Sequence, residues 1–184
     1  NGKEAFKKGI EDINNNYKDD WFQRLPIEPI EFEEDKIVLS SFNNNGPGAG
    51  FGSNEDEEKK ELTTFEKAEE KAVKAIQRHG MNIDGIERNR QIDDAYLLLG
   101  KSRYYTQRFI PAIEAFNYVI ANYPQADLIA ETKIWRAKAN TRNDNEEIAI
   151  EAMKLLLVVR DSLETSLPDK IKEQAHTALA MAYV

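Results

Sequence analysis

The chain has 184 residues, 41% of them hydrophobic, enough for one domain with a sizeable core or for an array of several helical hairpins. Thirty-three acidic residues against 25 basic ones leave a net charge of −8 with no Lys/Arg block. That balance argues against nucleic acid as a partner, and the absence of cysteine excludes disulfides, thiolate metal sites and a cysteine nucleophile.

The first predicted element is an amphipathic helix near Glu4 to Tyr17, in which Ala5, Phe6, Ile10 and Ile13 recur at helical intervals. Residues 26–42 read differently. Pro26 and Pro29 forbid a helix interior, while Ile27, Ile30, Phe32, Ile37, Val38 and Leu39 suit an extended path. Such a segment leaves backbone groups unpaired unless it lies on something, so it either drapes over the helices or completes a partner's sheet, and the first is favoured. Residues 1–42 thus form one N-terminal region.

Residues 43–61 run from an Asn/Gly-rich stretch into Asn54-Glu55-Asp56-Glu57-Glu58, a composition that cannot bury a core and that predicts a flexible linker. From 62 to 184 the pattern is helical. Thr63 or Thr64 is placed to cap a helix whose first turns are acidic, and Phe65, Ala68, Ala72, Ala75 and Ile76 line one face of it. This helix reads as the second half of a hairpin. Its missing first half is expected to be the N-terminal helix.

After a long loop, residues 80–91, whose Asn82-Ile83-Asp84-Gly85 run carries turn chemistry, comes the clearest repeat signal. Tyr96, Leu99, Gly100, Ala112, Phe116 and Pro124 fall at the spacings of a tetratricopeptide unit, a helix–turn–helix of 34 residues. Gly100 makes room for the second helix to cross closely, Ala112 faces it, Phe109 and Phe116 fill the seam, and Pro124 stops the helix. A degenerate copy follows when Ala137 is set on Gly100, which places Ala149 on Ala112, Met153 on Phe116 and Glu146 on Phe109. Its second helix runs to about Leu163. A third unit begins through Pro168-Asp169, with Ala180 on Gly100. The predicted fold is therefore all-α, a tetratricopeptide-repeat solenoid, and both ends read as cuts in a longer protein.

Catalytic and cofactor motifs do not survive inspection. Gly100-Lys101-Ser102 resembles the end of a phosphate loop, but Ala95 stands where a glycine is required and the segment is helical. The glycines of 46–52 fit no dinucleotide fingerprint. A calcium loop centred on Gly85 would put Gly80 at its first ligand position and Gln91 where a carboxylate belongs. His79 and His176 are far apart in sequence, without ligand spacing, and the carboxylates spread over solvated faces. No cofactor, metal or catalytic residue is assigned, and the chain is expected not to be an enzyme.

First helices line the concave face of such arrays. Register places there Asp94, Leu97, Lys101, Tyr104 and Tyr105 from one unit, and Glu131, Ile134, Lys138, Thr141 and Arg142 from the next. Lys101, Lys138 and Arg142 would form a basic strip on an acidic protein, with Tyr104 and Tyr105 as anchors beside it. The alternative puts Tyr104 in the packing seam. The asparagines of a chaperone-type carboxylate clamp are missing.

Beyond the repeat itself, the phrases Asn1–Gly9, Asp19–Ile27 and His79–Lys101 resemble the SprE/PorW family, tetratricopeptide lipoproteins of the type IX secretion and gliding machinery of Bacteroidetes. That resemblance spans essentially the whole chain. It implies a lipoprotein on the periplasmic face of the outer membrane, anchored through a cysteine upstream of Asn1. It also implies a scaffold role, linking periplasmic motor components to the outer-membrane translocon, with those proteins as partners. A soluble adaptor that binds a linear peptide in its groove is the alternative.

Overall fold

The computed structural model describes residues 1–22, 25–30, 63–83, 86–89, 91–124, 127–162 and 167–183. The expected linker at 43–61 and the larger part of the extended segment, 31–42, lie outside the described residues. Seven helices account for most of what is described: α1 (Gly2–Asn16), α2 (Thr64–His79), α3 (Ile92–Tyr105), α4 (Phe109–Asn122), α5 (Ile129–Thr141), α6 (Glu146–Ser162) and α7 (Asp169–Ala182). Each packs on the next in chain order. The odd-numbered helices also touch in succession, α1 on α3, α3 on α5 and α5 on α7. The result is an all-helical stack of neighbouring hairpins.

Local chemistry explains the boundaries. Thr63 caps α2 through a capping box: its hydroxyl accepts from the Glu66 N–H at 3.3 Å, and its own N–H donates to the Glu66 carboxylate at 2.7 Å. Pro111 sits in the first turn of α4, where a missing N–H costs nothing, and the helix ends at Asn122 just ahead of Pro124. The turns between α3 and α4 and between α5 and α6 each contain one left-handed residue, Gln107 (φ 61°) and Asp144 (φ 55°). Setting Ala137 on Gly100 also sets Asp144 on Gln107. The two hairpins therefore reverse direction by the same backbone device.

The α3–α4 seam has the predicted packing. Phe116 and Ala112 are fully buried, and Phe109 is nearly so. A Cβ built on Gly100 would lie 2.3 Å from Cε1 of Phe116 and 2.7 Å from both Cδ1 and Cζ, so the ring occupies the space a side chain would need. In the next hairpin Ala137, Ala149 and Met153 belong to one buried cluster with Ala130 and Ile134. The degenerate unit thus buries Ala137, Ala149 and Met153 as its register assigns, whereas Glu146, set on the buried Phe109, is exposed because a charged side chain keeps to solvent.

The N-terminal helix does supply the first half of the α2 hairpin. A Cβ on Gly9 would meet the Phe65 ring at 2.7 Å and the Thr64 hydroxyl at 2.7 Å, and the Phe6 ring meets that of Phe65 edge-on at 5.6 Å. Close approach at a glycine again sets the crossing. The loop at 80–91 departs from the expectation of irregular chain. It holds a short antiparallel ladder, β1 (Asn82–Ile83) with β2 (Ile86–Glu87), pairing Asn82 with Glu87 and Ile83 with Ile86. Glu87 reinforces it by accepting from the Met81 N–H at 2.7 Å and the Asn89 N–H at 2.8 Å.

Candidate functional site

The predicted groove residues cluster, but not as an open wall. Trp135 on α5 is the hub. Lys101 Nζ lies 5.3 Å and Lys138 Nζ 4.8 Å from the centre of its ring, cation–π distances that hold both ammonium groups beside one indole. Lys101 from α3 also bonds the Glu131 carboxylate on α5, tying the two helices together.

Tyr104 is fully buried, so the packing alternative is the correct one for this residue. Its ring meets those of Phe109 (5.6 Å), Trp135 (5.4 Å) and Tyr105 (5.5 Å) edge-on. Tyr105 stacks on Phe65 at 4.7 Å with the rings nearly parallel, and Phe6 meets it edge-on at 5.5 Å. The aromatic chain therefore runs from α1 through α2 and α3 to α5. Leu97 and Ile134, assigned by register to the concave wall, are buried core residues. Their apolar side chains complete the hydrophobic clusters, so the register is kept while the face is filled.

What fills it is residues 25–30. Glu28 enters between the ends of α3 and α5 and is 8% exposed. Tyr104 donates its hydroxyl to Glu28 Oε2 at 2.6 Å, Lys138 Nζ donates to Oε1 at 2.7 Å, and Arg142 Nη2 stands 3.8 Å from Oε2. Burial, followed by the Glu28 charge, pushes the Tyr104 phenol far above its ordinary range, so it stays a donor to the carboxylate. Burial raises Tyr105 in the same way.

Glu28 pairs with Lys138 and Arg142 of the basic strip from within the chain, from 110 positions away in the case of Lys138, while Lys101 pairs with Glu131. Ile30 packs on the same cluster as Tyr104 and Phe109, whereas Leu25 and Ile27 are more than two-fifths exposed. Glu28 and Ile30 thus both face the helices, although the chain bends over residues 27–29 in place of the expected extended path. Among the described residues, the backbone of this segment makes one main-chain hydrogen bond, Ile30 N–H to the Glu28 carbonyl at 2.8 Å. The draped arrangement holds for residues 26–30. Sequence reading missed Glu28, although a single carboxylate bracketed by Pro26 and Pro29 on a strand-like path was the available signal.

The remaining candidates lie apart. Asp94 pairs with Lys3 of α1 at 3.2 Å on the surface, and the Thr141 hydroxyl donates back to the Ala137 carbonyl at 3.1 Å. His79 ends α2, and His176 Nδ1 lies 2.8 Å from the Lys172 carbonyl on α7. Among the described residues, no group of three His, Asp or Glu side chains is placed to hold a metal ion, and no helix is long and apolar enough to cross a membrane. No family model and no curated protein matches the chain.

Proposed function

We propose that the chain is part of a non-enzymatic scaffold of tetratricopeptide-type hairpins that works through protein–protein contacts. The observation that carries this reading is the interlock of Gly100 with Phe116, together with the equivalent left-handed turns at Gln107 and Asp144. Hairpins repeated in one register stack into an array whose surfaces bind other proteins. An apolar strip on α6, with Leu155 and Val158 exposed beside Tyr183 at the C-terminal end of α7, adds contact surface of the kind proteins bury against each other. The phrases shared with the SprE/PorW family support a place in the type IX secretion and gliding machinery. There the scaffold, as a lipoprotein on the periplasmic face of the outer membrane, links motor components to the translocon. Affinity capture with the chain as bait is expected to recover translocon and motor-ring proteins, and recovery of neither class refutes this assignment.

A second reading, a soluble adaptor that binds a linear peptide in the groove, is favoured by one observation. The Tyr104–Lys138–Arg142 cradle already holds a carboxylate on a proline-bracketed segment. Reversing the charge of Lys101, Lys138 and Arg142 is expected to abolish binding of a short acidic peptide while leaving secretion assembly intact. Peptide binding that survives the reversal in a folded chain refutes this reading.

A further inference from the structure

We propose that the cradle formed by Tyr104, Lys138 and Arg142 is a recognition site for an acidic side chain on a proline-bracketed peptide. Residues 25–30 occupy it in cis, and a partner segment of the same chemistry displaces them. The inference deepens the peptide-groove reading and rests on it.

Three observations lead here. The cradle is built by the helices and not by its occupant: the Tyr104 ring is fixed by Phe109, Tyr105 and Trp135, and the Lys138 ammonium stands 4.8 Å from the centre of the Trp135 ring. The chemistry matches a carboxylate, with a phenol and an ammonium each on a separate oxygen and a guanidinium behind. The occupant is held through two side chains, since Glu28 and Ile30 face the helices while Leu25 and Ile27 are more than two-fifths exposed.

Pro26 and Pro29 fix φ at two positions, which lowers the ordering cost for this segment and for any competitor built like it. Covalent connection within one chain presents the segment to the cradle at an effective concentration on the order of 1 mM. Where that concentration exceeds the intrinsic dissociation constant about tenfold, the segment masks the site about tenfold.

The test uses the whole 184-residue chain and a labelled, end-blocked peptide of sequence Leu-Pro-Ile-Glu-Pro-Ile, read by fluorescence anisotropy. Glu28→Ala is expected to bind the peptide roughly tenfold more tightly than the native chain. Adding Lys138→Glu is expected to remove that binding, as is replacing the peptide's Glu by Gln. If Glu28→Ala lowers the helical circular dichroism, Ile30→Ala takes its place, because it loosens the segment while leaving the cradle paired. Equal affinity in the native and loosened chains overturns the proposal, and so does equal binding of the Glu and Gln peptides. A native-chain dimer that Glu28→Ala dissolves also overturns it, in favour of exchange between copies. Such a failure does not touch the scaffold reading, which stands or falls on the capture of translocon and motor proteins.

Discussion

Replacing Gly100 with alanine sets two opposed effects against each other, and the structure decides between them. Alanine in a helix interior is favoured over glycine by about 1 kcal/mol, so at an open position the substitution stabilises. At Gly100 the added Cβ falls 2.3 Å from Cε1 of Phe116, whereas carbon atoms rest about 3.5 to 4.0 Å apart. The ring would have to retreat by more than an ångström, and it is fully buried. Overpacking of this kind costs about 1 to 3 kcal/mol, and contact with three ring atoms puts Gly100→Ala at the upper end. The net expectation is a loss of about 2 kcal/mol, or roughly 4 to 8 °C in Tm for a chain of this size. Urea denaturation followed by circular dichroism measures it. Phe116→Leu in the same chain vacates the space, so the double variant is expected to be more stable than the sum of the two single losses implies. A neutral or stabilised Gly100→Ala would show that α3 and α4 do not cross at this glycine, and the hairpin argument would fail with it.

Three further outcomes follow from the same contacts. Tyr104 and Tyr105 have phenols raised by burial, so above the unfolded pKa of about 10 the unfolded chain loses protons that the folded chain keeps. Stability from these groups is complete below pH 10 and falls by about 1.4 kcal/mol per pH unit for each above it, and phenolate absorbance from both is expected to appear only with loss of helix. Thr63→Ala removes the capping-box acceptor of α2 and is expected to cost about 1 kcal/mol in a denaturant melt, with Thr63→Ser restoring most of it. Glu69, largely buried, joins α2 to Arg103 (3.0 Å) and to Arg108. Glu69→Ala is expected to cost about 1 to 2 kcal/mol at low salt and less in high salt, and a salt-independent loss would point to packing instead.

Much of the fold was legible because its determinants are local. The period of Ala5, Phe6, Ile10 and Ile13, the cap at Thr63 and the stop before Pro124 each act within a few residues, so the sequence places α1, α2 and α4 closely. The spacing of Gly100, Ala112 and Phe116 carries one step further, because close crossing needs small residues opposite a large one. Gly9 was not legible in this way, since its partner Phe65 lies across a long and aperiodic stretch of chain. The 82–87 ladder was read as plain loop, as two-residue strands are too short to show a period.

The candidate site divides along the same line. Register alone was enough to bring Lys101, Tyr104, Tyr105, Lys138 and Arg142 to one region, because helical geometry repeats and their spacing carries it. Whether that region is open depended on the path of residues 25–30, and a proline-bracketed, bent segment has no periodicity that names its contacts. Burying the Glu28 carboxylate is tolerable only where a phenol, an ammonium and a guanidinium converge. That convergence belongs to three stretches of chain folded together, and tertiary structure alone assembles it.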